Sequence, residues 1–455
     1  MWHFKNSTDE EEYVNALNST ISTPDVRLLV YYSNRAKDKP FINTRASILG
    51  SSLSNTEQSV DNSSFNLGTC YIDNVKIELD REKAIGIAGA RSQTLFCLEA
   101  GYGTTEDNVK YVPINWYVMK SRASSLKNGK YSVELQSFMS RLDRDLPNTI
   151  KKYGQSATCL AWLNYMCSNI IIQSRPDKEH IMLELSSKMS DNAYLEKLPS
   201  LDKIITVNAE TGHVTYRDVL RDIAQVNCSF ATFDREGKLL LVPFRESSDE
   251  HYTISYKDLI SYTENLEKFT IDAVRYSAGD REYIYDGSGT DGLFKGERYD
   301  GDYIDISDNK AMSLYTNEDN LDTTYGISNI ISILSGIWHC ICSESDKSEV
   351  PSEIIGYQAT PFELSLPRPD FRLDLGDWID YTTGNTSTLA SAQLMKINYS
   401  IPGTSKLYSY AAPDTTDTNA SGRRSATGGN KTTEDNNNKV DPTTTSSYKF
   451  WWSQT

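Results

Sequence analysis

The chain has 455 residues, of which 38% are hydrophobic and 11% aromatic, with 28 tyrosines. This length exceeds what one hydrophobic core supports, so we expect two to four domains. The tyrosine-rich and moderately polar composition favours β-rich domains with large interfaces. The formal net charge of −16 argues against a protein that holds nucleic acid by its phosphates, because such binding needs a basic surface.

The cysteines and the first residues indicate where the chain is made. Its seven cysteines are odd in number and follow no repeated spacing, which argues against a disulfide framework and predicts mostly buried, reduced thiols. The chain opens without a basic leader or an apolar run, and no stretch approaches the roughly 18 apolar residues of a membrane span. We therefore expect cytoplasmic synthesis, no secretory signal and no membrane-spanning segment.

The N-terminal third predicts an arm followed by a β-rich domain. Residues 1–23 are polar and acidic, and they predict an arm or a weak helix whose order depends on a neighbour. An apolar run at 26–32 and an alternation of apolar and polar residues at 71–79 predict strands. We place the first domain at 24–146.

A helix followed by a hairpin is predicted at 214–227 and 229–243. Thr215 and Asp218 form a helix-start signature, because the hydroxyl can accept from the third amide and the carboxylate suits the positive end of the helix dipole. The next apolar residues fall on one stripe of a 3.6-residue period: Val219, Leu220, Ile223 and Val226. The turn at 234–237 ends in a glycine, as short hairpin connections often do.

A second helix is predicted within 157–172. Its apolar stripe has Trp162 at the edge and comprises Leu160, Leu163, Tyr165, Met166 and Ile170. Cys159 and Cys167 would lie on nearly the same face, at a spacing more typical of buried core thiols than of metal ligands. Together with the helix and hairpin, this helix predicts a small α+β domain at 147–245.

A second β domain is predicted at 246–412. It contains an insertion rich in Gly, Asp and Tyr, and a helix at 324–341 that we expect to pack on the sheet. The insertion contains Asp286–Gly292, which lacks the alternating acidic ligands of a calcium loop, so we interpret it as a flexible insertion. His339 stands beside Cys340 and Cys342, but zinc needs four ligands and no second His or Cys cluster is near in sequence.

The C-terminal part changes composition twice. Residues 413–447 are almost all polar or small, and they predict a disordered linker because they bury too little apolar surface to offset the entropy of ordering. Residues 448–455 contain three consecutive aromatic side chains, Phe450, Trp451 and Trp452, which suit a peptide that docks on a partner. The alternative is that this segment packs on its own subunit.

Four segments, in order along the chain, resemble one known family. They are FNLGTC leading into VKIEL at 65–79, PINWYV at 113–118, the helix and hairpin at 213–244 with its FDREGKL turn, and YQATPFEL with PDFRLDLGDWI at 357–379. Each is similar to a segment of the tail hub proteins of long-tailed bacteriophages, the trimeric proteins that cap the tail tube at its tip. Asn115 stands where these proteins commonly have glycine, and the aspartate that they usually have near Ser137 is absent from this chain.

The resemblance implies a fold that is mainly β with an α+β insertion. It comprises two tail-tube-like β-barrels, a small α+β domain and insertions, in the hub architecture. Three copies would place six barrels around a ring, so that a three-fold tip could join a six-fold tube. We expect some of the excess acid to line the bore of that ring, because like charge keeps DNA phosphates from sticking.

The resemblance also implies the partners and the location. They are two further copies of the chain, the tail tube or distal tail ring, the tape measure protein, a tip or spike protein below the hub, and genomic DNA that passes through the lumen without specific binding. The protein would be part of the virion, at the tail tip or baseplate, after assembly in the bacterial cytoplasm.

Two other functions remain open from the sequence. A cell-wall hydrolase would need paired carboxylates or a Cys/His or metal constellation, and the five histidines are dispersed: His3, His180, His213, His251 and His339. A host-surface protein could bind glycans with exposed aromatic side chains, for example in the loop at 283–303. We predict no catalytic residue, no cofactor-binding residue and no metal ligand.

Overall fold

The computed structural model describes most of the chain to Ser409. The described residues are 1–20, 22–35, 39–49, 53–58, 67–125, 128–177, 179–207, 212–244, 251–255, 258–264, 269–271, 273–278, 281–287, 293–294, 303–309, 311–312, 324–341, 343–344, 354–355, 357–359, 362–382, 388–401 and 404–409.

Helices form a minor part of the described chain, and most of the rest is strand. The helices are α1 (Ser7–Asn18), α2 (Asn148–Tyr153), α3 (Cys159–Asn169), α4 (Asn192–Leu195), α5 (Tyr216–Val226) and α6 (Thr324–Ile341). Short 3₁₀ helices lie at Glu106–Asn108, Phe138–Asp143 and Ser187–Ser190.

The strands of the N-terminal half are β1 (Asp25–Tyr31), β2 (Phe41–Asn43), β3 (Leu53–Gln58), β4 (Asn74–Asp80), β5 (Leu95–Tyr102), β6 (Lys110–Met119), β7 (Ser124–Ser125) and β8 (Lys130–Ser137). The α+β region contributes β9 (Gln155–Thr158), β10 (Ile171–Gln173), β11 (Ile181–Met182), β12 (Ile204–Val207), β13 (Ser229–Phe233) and β14 (Leu239–Pro243).

The C-terminal half begins with β15 (Tyr252–Ser255), β16 (Ser261–Glu264), β17 (Phe269–Ile271), β18 (Ala273–Ala278), β19 (Arg281–Tyr285), β20 (Leu293–Phe294) and β21 (Tyr303–Asp305). It continues with β22 (Ser343–Glu344), β23 (Ile354–Ile355), β24 (Tyr357–Ala359), β25 (Phe362–Leu366), β26 (Trp378–Thr382), β27 (Thr388–Gln393), β28 (Lys396–Ile401) and β29 (Ser405–Ser409).

The largest sheet is built from the N-terminal strands in the order β2-β1-β5-β6-β8-β4, with β7 paired to β8, and its pairs are antiparallel. In β4 the buried residues are Val75, Ile77 and Leu79, which confirms the predicted alternation. Every residue of β5 is buried, because Leu95 packs toward the α+β unit whereas Phe96 and Leu98 belong to a core on the other face.

That second core joins the N-terminal sheet to the C-terminal strands. The C-terminal strands form a sheet in the order β16-β25-β29-β28-β3 and a smaller one in the order β15-β26-β27. Phe96 and Leu98 share one apolar cluster with Leu364 and Ile397 of these sheets. The two predicted β domains are therefore packed against each other.

Strand β3 ties the two halves together through the backbone. It lies within the predicted first domain, yet it pairs antiparallel with β28 along its whole length, from Leu53 opposite Ile401 to Gln58 opposite Lys396. The predicted division at 24–146 and 246–412 thus differs from the sheet topology at this strand. A strand that completes a distant sheet gives no local signal, because its backbone bonds are set by tertiary contacts.

The predicted acidic arm contains the helix α1. Asn6 caps it by accepting a hydrogen bond from the Thr8 backbone N–H at 3.0 Å. The Tyr13 side chain is fully buried and donates to the Asp370 carboxylate at 3.3 Å, and Glu10 pairs with Arg372 at 3.2 Å. The segment is ordered against the C-terminal half of the same chain, which serves as its neighbour.

The helix α5 starts with the predicted capping box, in which the Asp218 backbone N–H donates to Thr215 Oγ1 at 3.2 Å and the Thr215 N–H donates to the Asp218 carboxylate at 2.9 Å. The hairpin β13–β14 follows at 229–243 with the predicted turn. In α3, Trp162, which was predicted at the edge of the apolar stripe, is buried, whereas Leu160 and Tyr165 of the predicted stripe are only half-buried. The buried residues of α3 are Cys159, Trp162, Leu163 and Met166, a true i, i+3, i+4, i+7 stripe.

The helix α6 has the predicted bounds and packs on β18 and β19, with further contact to α5. Its buried side chains, among them Ile330, Leu334 and Ile337, share one core with α5 and the hairpin. Trp338 packs against Tyr285 with ring centroids 5.9 Å apart. This part of the predicted second domain is therefore anchored to the α+β unit.

Four of the described cysteines, Cys70, Cys97, Cys159 and Cys228, are buried free thiols, and Cys167 and Cys340 are half-buried. No helix in the described part of the chain has the length and apolar character needed to cross a membrane.

Candidate functional site: a junction of three segments

Three of the segments that carry the family resemblance meet at one point in the structure. They are the strand at 113–118, the hairpin turn at 234–237 and the stretch at 369–379, which are far apart in sequence. The contact between them is made by Arg235, whose exposed fraction is 4%. The junction therefore connects the N-terminal sheet, the α+β unit and the C-terminal strands.

The guanidinium of Arg235 binds acceptors in both of the other segments. Its Nε pairs with the Asp374 carboxylate, its Nη1 donates to the carbonyl oxygen of Ile114, and its Nη2 donates to the carbonyl oxygen of Leu373. A planar guanidinium suits this task because its donors point in fixed directions, so one side chain can fix several acceptors. The buried charge is matched by a carboxylate and by backbone acceptors.

The backbone of the same turn is held by Trp116. The indole Nε1 of Trp116 donates to the carbonyl oxygen of Arg235 at 3.0 Å. Gly237 has φ of +78°, and a Cβ at this position would lie 3.1 Å from both Phe138 and Trp116. The glycine thus serves the turn conformation and the close approach of the two aromatic rings.

The Gly376–Asp377 turn closes the third side of the junction. Gly376 has φ of +90°, and a Cβ there would lie 2.3 Å from Val242 Cγ1 in β14. Asp377 accepts a hydrogen bond from the Asp374 backbone N–H at 2.7 Å, so the aspartate binds its own loop as predicted. Burial raises the pKa of the Asp377 carboxyl, although the amino group of Met1 beside it acts in the opposite direction.

A cavity of about 450 Å³ lies beside this junction. Its walls carry charges of both signs, among them Lys188, Lys197, Asp234 and Asp374, together with Gln393. Gln393 is buried and donates its Nε2 to the carbonyl oxygens of Pro243 and Gly376, each at 3.0 Å. These contacts join the hairpin to the C-terminal strands and reinforce the junction.

A second buried polar cluster links α5 to the backbone at Ala311. His213 Nε2 lies 2.6 Å from Asp222 Oδ2, and both side chains are fully buried. The same carboxylate accepts from the Ala311 N–H at 3.0 Å and from Arg221 Nη2 at 3.1 Å. Such complete pairing is what a buried charge needs for stability, so the cluster fixes one segment against another.

Sequence reasoning did not predict either cluster. In the sequence, Arg235 looks like part of an ordinary hairpin turn, and His213 looks like one of five dispersed histidines. Their partners lie far away in the chain or across a helix turn, so no local pattern identifies them. The presence of Arg235 within a segment that resembles a known family was the signal that could have pointed to the junction.

The predicted docking residues Phe450, Trp451 and Trp452 lie outside the described residues. The loop at 283–303 is described only at Tyr283–Gly287, Leu293–Phe294 and Tyr303. His339 is exposed and Cys340 is half-buried, whereas Cys342 lies outside the described part. Among the residues that the structure describes, no group of three or more His, Cys, Asp or Glu is placed to hold a metal ion.

No protein-family model matches the sequence, and no curated protein matches it either. Several solved structures do. The tail protein from Neisseria meningitidis MC58 matches at 12% identity and a TM-score of 0.41, over 84% of this chain and 95% of that chain. The prophage tail protein gp18 from Listeria monocytogenes EGD-e matches at 10% identity and a TM-score of 0.42, over 84% and 94% of the two chains.

A chain of the phage P2 baseplate matches at 11% identity and a TM-score of 0.29, over 84% of this chain and 98% of that chain. At these TM-scores the likeness assigns no function to this chain. These three solved structures are phage tail or baseplate proteins, and further matches include a Francisella PdpA-VgrG complex and the E. coli c3393 component of the type VI secretion system.

Proposed function

We propose that the protein is a structural component of a phage tail, namely the trimeric hub at the tail tip or baseplate. The observation that carries the proposal is the convergence of three family-like segments on Arg235. Segments that are separated by more than a hundred residues resemble the hub family one by one, and they also contact one another. A chance resemblance of unrelated stretches would not require such contact.

The way in which the units are joined supports a mechanical role. An adaptor between a tube and a tip must keep its parts in a fixed orientation while DNA passes. Here the N-terminal and C-terminal sheets share one core, β3 completes a sheet of the other half, and a buried guanidinium joins all three units. A protein that works through shape benefits from such connections, because packed cores transmit force with little deformation.

The proposed assembly contains three copies of the chain around an open bore. In each copy, the units at 24–146 and 246–412 form the two tube-like barrels, and the unit at 147–245 lies between them. Strand 53–58 belongs to the first unit in sequence but pairs with a strand of the second. Six barrels would then face the distal tail ring or tail tube, and the tape measure protein and a tip or spike protein would be further partners. The hub acts in the virion, after assembly in the host cytoplasm, and we propose no enzymatic role for it.

The experiment that tests this proposal is a measurement of mass in solution for the purified full chain. We expect a species of three times the 51.3 kDa of the chain. If the chain stays monomeric even at the highest protein concentration, the trimer is contradicted, because an obligate interface would form there. The same preparation should neither bind host cells nor clear a peptidoglycan suspension, and either activity would favour the glycan-binding or hydrolase alternative.

We also propose that part of the net charge of −16 lines the bore, because acidic walls keep DNA from adhering during ejection. A structure of the trimer tests this directly. An acidic lumen is expected, and a neutral or basic lumen would refute the idea without affecting the trimer.

A further inference from the structure

A smaller cavity of about 180 Å³ lies between the N-terminal sheet and the α+β unit. Four aromatic side chains line it: Tyr31, Tyr32, Trp116 and Phe138. The rings of Tyr31 and Trp116 have centroids 5.3 Å apart, and those of Trp116 and Phe138 are 6.2 Å apart. Tyr31 and Trp116 are only partly buried, so the cavity presents aromatic surface that the described part of the chain does not cover.

The remaining walls combine apolar side chains with the polar Gln173 and Arg175, and the rim carries charges of both signs. Ile181 and Met182 of β11 form one wall and are also only partly buried. At the rim, the side chains of Glu184 and Glu236 are 65% and 54% exposed. Both lie near Lys238 Nζ, at 3.9 and 3.1 Å, so these two carboxylates share one ammonium. Arg175 is a second basic residue in the lining of the cavity.

The size and chemistry of the cavity suit one aromatic side chain. An apolar protein cavity of about 150 Å³ is sufficient to hold benzene, and this one is slightly larger. Aromatic rings pack favourably at centroid distances of roughly 4.5–7 Å in offset or edge-to-face arrangements. A tryptophan or phenylalanine that entered here would meet Tyr31 and Trp116 in that range.

The same chain carries a segment of matching chemistry. Residues 448–452 read Tyr-Lys-Phe-Trp-Trp, which places a lysine directly before three aromatic residues. Its ammonium would pair with the exposed Glu184 and Glu236 carboxylates while a ring fills the cavity. The described chain stops at Ser409, and residues 410–447 span up to about 130 Å when fully extended, whereas a compact chain of this size has a radius of gyration of about 22 Å.

We propose that the aromatic segment Tyr448–Trp452 docks in this cavity of its own chain, with one tryptophan ring against Tyr31 and Trp116 and with Lys449 at Glu184 and Glu236. A tether that reaches the site raises the local concentration of the segment to about the millimolar range, so a single ring in this pocket is sufficient for docking. The larger cavity of about 450 Å³ is a poorer fit for one ring, because its volume is more than twice that of the smaller cavity.

Photo-crosslinking in the full chain tests the proposal. A benzophenone amino acid replaces Trp451, and mass spectrometry of the irradiated and digested protein identifies the attachment site. We expect crosslinks to Met182, Ile181 or the turn at 236–238, within one chain. Crosslinks to another surface, or only between two chains, would overturn the assignment, and the same amino acid at Ser425 serves as the control for non-specific attachment.

A second measurement does not depend on a variant of the aromatic walls. Met182→Cys places a thiol at the cavity, and we expect iodoacetamide to label it about fivefold more slowly when the tail is intact than in the W451A/W452A variant. Tyr153, which is 75% exposed, gives the matched control, because Tyr153→Cys should be labelled at one rate in both backgrounds. Equal labelling of Met182→Cys in both backgrounds contradicts docking.

Discussion

Replacement of Arg235 by methionine should weaken the contacts between the three units and lower the free energy of unfolding. Methionine keeps most of the side-chain volume but leaves the Asp374 carboxylate without its buried partner and two carbonyl oxygens, of Ile114 and Leu373, without a donor. Ile114 and Leu373 are 3% and 0% exposed, so their carbonyl oxygens lose a donor in a largely buried environment, whereas Asp374 is 29% exposed and is partly solvated. Removal of one partner of a fully buried ion pair typically costs about 3–5 kcal/mol. Because Asp374 is partly solvated, we expect a smaller loss in the free energy of unfolding, of about 2–3 kcal/mol.

The matched control is Arg217→Met. Arg217 pairs with Asp143 on the surface, where the two side chains are 37% and 41% exposed, so its loss should cost about 0–1 kcal/mol. Both variants and the parent chain are unfolded in urea, with tryptophan fluorescence and far-UV circular dichroism as separate probes. The parent should give coincident transitions, whereas R235M should split them, because the units no longer unfold together.

A double-mutant cycle with Asp374→Asn isolates the pair. We expect a coupling energy of about 1–3 kcal/mol between Arg235 and Asp374. If R235M is destabilised no more than R217M, or if the coupling is near zero, then the junction does not hold the units together and the mechanical proposal loses its main support.

Three further predictions address the turns, the helix cap and the thiols. Gly376→Ala should lower the free energy of unfolding in urea by about 1–3 kcal/mol more than Gly129→Ala does. Both positions have positive φ, but a Cβ at Gly376 would clash with Val242, whereas a Cβ at Gly129 meets no atom within 4 Å. Equal losses would remove the steric explanation. Thr215→Ala should cost about 1 kcal/mol through loss of the α5 cap, and a change below about 0.3 kcal/mol would show that the cap contributes little. Burial raises the pKa of the Cys70 and Cys159 thiols to about 12 from an ordinary value near 9, so neither should react with iodoacetamide at pH 8 before unfolding, as peptide mass spectrometry would show. Because the unfolded chain releases these protons from about pH 9 while the folded chain keeps them, the free energy of unfolding should fall as pH rises from 9 toward 12; a flat profile over that range would contradict the burial of these thiols.

Local patterns were sufficient for the elements that are stabilised locally. The capping residues Thr215 and Asp218 fixed the start of α5, and an apolar period fixed α6 at Thr324–Ile341. The alternation in β4 likewise follows from one buried face. In these cases the residues that determine the element lie within a few positions of one another.

Contacts between distant residues were beyond such reasoning. The pairing of β3 with β28 depends on a sheet whose other strands come more than two hundred residues later. Leu160 and Tyr165 were placed in the buried stripe of α3, yet both are only half-buried, because the face of the helix that enters the core depends on how the α+β unit packs around it. Arg235 gives no local sign of burial, since its acceptors are the Asp374 carboxylate and two backbone carbonyl oxygens, all in two distant segments.

Single-particle electron microscopy of the purified full chain tests the central claim most directly. The account predicts a ring with three-fold symmetry and an open centre, in which each chain contributes two similar β-barrels joined through the Arg235 junction. A closed particle, a particle without a three-fold axis, or a chain whose N-terminal and C-terminal sheets do not superpose as barrels would contradict it.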